Sequence, residues 1–301
     1  MPTPAPMSVK ACPACTGVMR VHPASRATGR VVGGCTSCGT HSLLNPPDAP
    51  EVTELYEFDR TNYESWSNSK RHETLDRAYA TTLTRISELT RSGGQELFDV
   101  GAGAGDFLLK ARQHGFAAHG NELAVGAIEL TKERVGVDLI HGDLSAIDGT
   151  DLFDAVTMWC VIAHVSEPDA LLTDAYRILK PGGVLFLQTP RWSMMDKAAM
   201  ATARATRGRV SRLLDRRVSE FHMTLVSGQG LSAQARRNGF DVVEVNPRSR
   251  YSLNTLEYLK SLGVPQRVGA KAVKAIDLAV DRDLCFRNVF DLYARKPLAH
   301  G

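Results

Sequence analysis

The chain has 301 residues, 43% hydrophobic and 23% charged, enough to bury a full core without a disulfide scaffold. Its 36 Lys and Arg against 33 Asp and Glu leave a net charge of +3, too weak by itself to mark a nucleic-acid binder. No stretch reaches the roughly 18 apolar residues of a membrane span. Met1-Pro-Thr-Pro-Ala-Pro6 lacks the apolar core and cleavage site of a signal peptide, so a cytoplasmic protein is expected.

Four of the six cysteines come first, as Cys12-Pro-Ala-Cys15 and Cys35-Thr-Ser-Cys38-Gly39, with nineteen residues between the pairs. That spacing suits a structural zinc site, in which two CxxC knuckles close a tetrahedral shell of four thiolates. A disulfide pair or unpaired thiols are the bland alternatives, and a reducing cytosol disfavours the former. Residues 18–21 and 30–32 read as short strands about a turn containing Thr28-Gly29, a ribbon hairpin. His41 is expected on the surface, since four thiolates already fill the shell; Cys160 and Cys285 stand alone and are expected in the core.

A proline-rich joint, Asn45-Pro-Pro-Asp-Ala-Pro50, follows, then a polar stretch carrying Tyr56, Phe58, Tyr63 and Trp66. Leu75, Ala78, Tyr79, Leu83, Ile86 and Leu89 recur at helical spacing and stop near Ser92-Gly-Gly94. From there strands (96–100, 116–121, 137–141, 154–162, 184–189) alternate with helices (106–114, 124–135, 168–179). Near-continuous apolar strands in such an alternation predict a parallel sheet covered on both faces. Residues 191–220 interrupt the pattern with eight Arg or Lys, three acids and spaced Met and Leu, and are expected to cap the carboxyl edge of the sheet. Residues 253–284 form a second helical insertion, and Arg287 to Tyr293 a last, antiparallel strand. The expected organisation is a flexible tail (1–8), a zinc ribbon (9–50), a linker with an N-terminal helix (51–95), and a seven-stranded Rossmann-like domain (96–301) with helical insertions near 191–220 and 253–284.

Chemistry concentrates at the carboxyl ends of the strands. The first runs into Gly101-Ala-Gly103-Ala-Gly105, where glycines permit a tight turn and close approach of a ligand. A dinucleotide fingerprint would need glycine at the position of Asp106, so the loop alone decides little. The second strand ends in Glu122, about 20 residues on, where a carboxylate takes ribose hydroxyls. The third ends in Asp143-Leu144, placed to meet an adenine, and Leu179-Lys-Pro-Gly-Gly183 turns the chain back into the sheet.

In this order, Asp99-Val-Gly-Ala-Gly-Ala-Gly-Asp-Phe107, Glu122, Gly142-Asp143, Phe153-Asp-Ala-Val-Thr-Met-Trp159, Ala163-His164-Val165, Leu179-Lys-Pro-Gly-Gly183, Gln188-Thr-Pro190 and the stretch from Phe221-His222 to Gly239-Phe240 resemble the class I S-adenosylmethionine-dependent methyltransferases. With its cysteine ribbon the chain is most similar to a broad bacterial group of them. The resemblance implies that Gly101, Gly103 and Gly105 surround the methionine part of S-adenosylmethionine, with Asp99 near its ammonium. It implies Glu122 on the ribose, Asp143 and Leu144 at the adenine, and Trp159 beside the cofactor. Tyr63, Phe107 or Trp159 would offer an aromatic face to the charged sulfur. Relatives often carry acids at the positions of Cys160 and Ala163, and both are absent here.

The expected reaction is methyl transfer to a small molecule (a sugar, an isoprenoid or another specialised metabolite) at O, N or C, with His164 or His222 as general base. Two other readings stand beside it: an RNA methyltransferase gripping its substrate with ribbon and cap, and a protein that binds the cofactor without catalysis. The ribbon is nearly neutral and no Asn/Asp-Pro-Pro-Tyr motif occurs, which disfavours nucleic acid. A cytosine-C5 enzyme using Cys160 is disfavoured by the lack of a Pro-Cys dipeptide. The cap also leaves a homodimer open.

Overall fold

Strand-forming runs that are apolar on both faces assemble the central sheet. The computed structural model describes residues 10–22, 29–47, 60–68, 72–219, 221–250, 254–261, 264–282, 284 and 287–298; the proposed tail, Tyr56, Phe58, Leu253 and Cys285 lie outside them. The sheet comprises β4 (Glu96–Val100), β5 (Ala117–Glu122), β6 (Ile140–His141), β7 (Phe153–Trp159), β8 (Leu179–Pro190), β10 (Asp241–Arg248) and β11 (Val289–Arg295). Their order is β10-β11-β8-β7-β4-β5-β6, with β11 antiparallel to both neighbours and the other pairs parallel. The chain winds outward from β4 through β5 to β6, then crosses to β7 on the other side. A crevice therefore opens at the carboxyl ends of β4 and β7, where such sheets bind ligands.

Alternation along the strands feeds two cores. Phe98, Val156, Met158, Leu185 and Leu187 pack on one face with α5 (Pro168–Ile178) and α8 (Gly228–Arg237). Leu97, Ala155 and Phe186 pack on the other with α2 (His72–Leu89) and α3 (Asp106–Gln113). Leu75, Tyr79, Leu83, Ile86 and Leu89 are the buried stripe of α2, as their spacing predicts, whereas Ala78 is half-buried. The remaining helices are α1 (Arg60–Asn68), α4 (Val125–Val135), α6 (Met194–Ala205), α7 (Arg212–Arg217), α9 (Thr255–Ser261) and α10 (Gln266–Asp281). Among the described residues no helix is long and apolar enough to cross a membrane.

Two strands are shorter than the sequence predicts. β6 keeps only Ile140 and His141, at an exposed edge that pairs on one side. β7 stops at Trp159 because Cys160 takes a left-handed conformation (φ 65°), after which 161–164 turn and His164 N donates to Val161 O at 2.8 Å.

The ribbon is larger than a hairpin. β1 (Met19–Val21), β2 (Val32–Cys35) and β3 (His41–Leu43) form an antiparallel sheet whose fourth strand, β9 (Thr224–Leu225), comes from the distant segment after the cap. Helix α8 holds the other side: Gln234 Nε2 donates to Pro13 O at 3.2 Å and Arg237 Nη1 to Ala14 O at 2.9 Å. The apolar side of the cap faces this sheet. Val32 and Leu43 are buried with Trp192, Ala199, Met200, Ala203, Leu214, Val218, Met223 and Leu225. The expected cap over the carboxyl edge is thus in large part a seat for the ribbon, and Met194 stays exposed. His41 is no surface histidine: its ring stacks on Trp192 at 3.6 Å, and burial brings its pKa down to about 4.

Candidate functional site

The glycine loop leaves β4 and starts α3. Gly101, Gly103 and Gly105 all have positive φ, and a Cβ on Gly105 would press within 2.8 Å of Thr131 and Val135, so helix packing as well as turn geometry demands glycine there. Gly103 faces open space, with nothing within 4 Å of where its Cβ would lie. Its N–H donates to Glu122 Oε2 at 2.8 Å, while Leu123 N and Ala124 N donate to Glu122 Oε1 at 2.7 and 3.2 Å. The carboxylate is therefore fixed at the tip of β5 against the loop, and a carboxylate oxygen with one bond retains acceptor capacity.

Asp99 lies one strand across, buried, its Oδ1 accepting from Thr157 Oγ1 at 2.6 Å. Burial, with the Glu122 charge adding to it, raises its pKa to about 8. Asn121 ties three strand ends together: Oδ1 accepts from Gly101 N at 3.4 Å and Nδ2 donates to Gly142 O at 2.7 Å. Asp143 is exposed, and its Oδ1 accepts from Ser145 N at 2.9 Å and Ser145 Oγ at 2.5 Å, capping the short turn Leu144–Ala146. The Leu144 side chain belongs to the core, which leaves only its backbone for a ligand. Tyr63 of α1 packs on Ala104, Ala124, Ala127 and Leu130, beside the loop; burial raises its phenol pKa, with Glu122 contributing.

Trp159 closes the crevice on the β7 side. Its ring meets Tyr79, Phe107 and Phe186 at 4.7, 5.2 and 4.8 Å, and the Arg250 guanidinium lies 5.4 Å from its centroid. Arg250 is anchored by Asp291 Oδ2 at 2.5 Å. Among the described residues, Trp159 Nε1 and Arg250 Nε and Nη1 are buried without a hydrogen-bond partner. Orphaned buried donors are costly, and these belong to two neighbouring side chains at the end of β7, where a ligand's acceptor atoms would satisfy them.

Past Trp159, Cys160, His164 and His222 meet. Cys160 Sγ is 3.6 Å from His222 Nε2, and the two imidazole centroids are 4.9 Å apart. Burial pushes the Cys160 thiol up to about 12 and brings His164 down to about 4; His222 falls to about 3 through burial, with His164, Arg217 and Arg216 adding. The isolated core cysteine expected at 160 is thus half-buried and clustered. Sequence reasoning missed Asn121, Thr157 and Arg250; the position before Glu122 was the single readable signal among them.

At the ribbon, the four expected cysteines converge: Cys12 and Cys38 Sγ are 3.7 Å apart and Cys15 and Cys35 Sγ 3.5 Å, all four unbridged. A tetrahedron of sulfurs about 2.3 Å from one ion has edges of about 3.8 Å, so the cluster fits a metal. Although burial opposes it, N–H donation from Cys38 and Ser37 brings the Cys35 thiol down to about 6.

Residues 71–245 match the family described as "Methyltransferase domain". The chain belongs to that family and is an S-adenosylmethionine-dependent methyltransferase of class I. Among curated relatives, the ubiquinone biosynthesis O-methyltransferase of Xanthomonas oryzae pv. oryzae (strain PXO99A) is 31% identical over 179 residues, 54% of this chain and 70% of that protein. The enzyme of the same name from Pseudomonas entomophila (strain L48) is 26% identical over 143 residues, 45% of this chain and 62% of its own length. In fold, the chain is similar to the [4+2]-cyclase SpnF (TM-score 0.56, 19% identity, 84% of this chain and 98% of that one). It is also similar to phosphoethanolamine N-methyltransferase 2 of Haemonchus contortus, solved with S-adenosyl-L-methionine (TM-score 0.53, 17% identity, 85% and 62%).

Proposed function

We propose that this chain O-methylates a small hydroxylated acceptor bound between the glycine loop, Trp159 and Arg250. The observation that supports the cofactor site is Glu122, held by three backbone N–H groups at the tip of β5 with acceptor capacity left over, beside a Gly103 whose Cβ direction is open. S-Adenosylmethionine, when bound, supplies a methyl group on a positively charged sulfur. Glu122 takes the ribose hydroxyls; Gly101, Gly103 and Gly105 border the amino-acid part, with Asp99 toward its ammonium. Asp143 and the Leu144 backbone meet the adenine. Tyr63, Phe107 and Trp159 exclude water and give aromatic faces to the cation. Arg250 and the Trp159 indole N–H hold an oxygen-bearing or anionic part of the acceptor. His164 and His222, clustered just past Trp159, are the groups we assign to removing the acceptor's proton. The curated relatives named as O-methyltransferases support oxygen as the accepting atom. We further infer that the four-cysteine cluster holds a structural zinc ion.

Calorimetry with S-adenosylhomocysteine tests the site. A hydrogen bond to a charged group contributes about 1.5–3 kcal/mol, so Glu122→Gln is expected to raise Kd roughly tenfold to a hundredfold, with some loss of melting temperature because a Gln amide accepts on one side only. Unchanged affinity in both Glu122→Gln and Asp143→Ala would remove the assignment.

Asp99 makes the binding pH-linked. Its pKa near 8 keeps it protonated at neutral pH in the ligand-free crevice, and an ammonium beside it favours the carboxylate. Ligand binding at pH 7 is therefore expected to release protons, seen as a dependence of the binding enthalpy on buffer ionisation and absent in Asp99→Asn. For the free protein the sign is opposite to that of a salt-bridged acid. The stability carried by protonated Asp99 is complete below its ordinary pKa of about 4 and is lost as pH rises toward 8. Asp99→Asn should flatten that decline in thermal melts.

A further inference from the structure

Beside the crevice the fold gathers three metal-binding side chains from two distant segments. One donor atom from each of Cys160, His164 and His222 lies within 4.8 Å of the other two, and the Cys160–His222 pair stands at 3.6 Å. A thiolate and an imidazole on one tetrahedral zinc ion, at about 2.3 and 2.0–2.1 Å, are separated by about 3.5 Å. We propose that these residues form a second metal centre, distinct from the ribbon, that binds a divalent zinc-type ion through one sulfur and two nitrogens and leaves a fourth position open.

The backbone preorganises the set. Cys160 is held in a left-handed conformation that a non-glycine residue adopts at a cost, with its N–H donating to Gln188 O at 3.0 Å. Ser219 and His222 exchange backbone hydrogen bonds at 3.2 and 3.0 Å. Met223 N donates to Ala163 O at 2.8 Å, clamping the two histidine-bearing segments together. The donor set selects the ion. Imidazole and thiolate suit zinc, whereas magnesium and calcium require oxygens that Ala163 does not offer. Coordination costs the thiol its proton, which passes to solvent.

Position gives the ion its use. Val161, in the turn between the ligands, stands 3.0 Å from where a Gly101 Cβ would lie, so the turn that carries Cys160 and His164 packs against the glycine loop. Three protein ligands with one open position are the catalytic form of a zinc site, and such an ion lowers the pKa of a hydroxyl bound to it. The open position would take the acceptor hydroxyl, for example a phenol; with the ion bound, His164 and His222 serve as its ligands in place of the general-base role given above, and the hydroxyl's proton passes to solvent. This use rests on the methyl-transfer reading; the presence of the ion does not.

Elemental analysis of the purified full-length protein is expected to find two zinc ions per chain, falling to one in Cys160→Ser and in His222→Ala while the ribbon ion stays. Zinc K-edge absorption of the wild type should show imidazole scattering in addition to sulfur, a readout that needs no variant to fold. One zinc per chain with sulfur scattering alone would overturn the proposal and leave Cys160–His222 a simple hydrogen bond. Calorimetry with S-adenosylhomocysteine separates the two ideas. Retained binding in Cys160→Ser with one ion lost supports the metal centre, whereas wild type that holds two ions and ignores the ligand sinks the methyl-transfer site alone.

Discussion

Removing metal from the four-cysteine cluster is expected to unfold the ribbon and loosen the cap while leaving the seven-stranded sheet folded. The ribbon has little core of its own: Cys12, Ala14, Met19, Cys35, Cys38 and Leu44 are its buried cluster, and four of the six are small. Structural zinc in small modules contributes about 10–16 kcal/mol of apparent binding energy at neutral pH, far more than that cluster supplies by burial. The loss does not stop at the cysteines, because β3 pairs with β9 and Val32 and Leu43 share a core with α6 and α7. Treatment with a strong chelator should therefore give a new low-temperature transition and early proteolysis within residues 10–47. It should also change Trp192 fluorescence as the His41 stack opens. Cys35→Ser should reproduce these effects and Cys160→Ser should not. A wild type that carries no metal and melts in one transition would refute the structural ion.

What the sequence made legible, it did through local periodicity. α2 is readable because Leu75, Tyr79, Leu83 and Ile86 mark one helical stripe, and β7 because Ala155 and Trp159 on one face and Val156 and Met158 on the other make it mostly apolar on both. β7's end was not readable, since nothing local announces that Cys160 adopts φ 65°. β3 and β9 are three and two residues long, too short for any period, and their pairing joins residues about 180 positions apart. The stacking of His41 is illegible for the same reason: its partner, Trp192, is distant in the chain. At the site, the place of Glu122 at the tip of β5, against the glycine loop, is readable from its register. Arg250 and the closeness of Cys160 to His222 depend on where separate segments return to the sheet, which no spacing encodes.

The same dependence on distant segments makes Arg217→Ala the severest single substitution expected in the cap. Asp196, fully buried at the start of α6, accepts from Arg217 Nε at 2.7 Å (Oδ1) and Nη2 at 3.3 Å (Oδ2). Its Oδ2 also accepts from Ser193 N at 2.8 Å and Ser193 Oγ at 2.5 Å, completing a capping box. Arg217 Nη2 reaches on to Arg191 O at 3.0 Å, so one guanidinium joins the end of α7, the start of α6 and the strand leaving the sheet. Deleting it strands a carboxylate away from water, a change that costs about 3–5 kcal/mol. Urea denaturation should show that loss for Arg217→Ala and a smaller one for Arg217→Lys, which keeps the charge but not the fork. Replacing both partners by apolar residues, Asp196→Leu with Arg217→Met, should recover much of the stability, because no unpaired charge is then buried. A loss below about 0.5 kcal/mol for Arg217→Ala, the range of ordinary surface changes, would mean that water reaches Asp196 and that the cap is not closed over it.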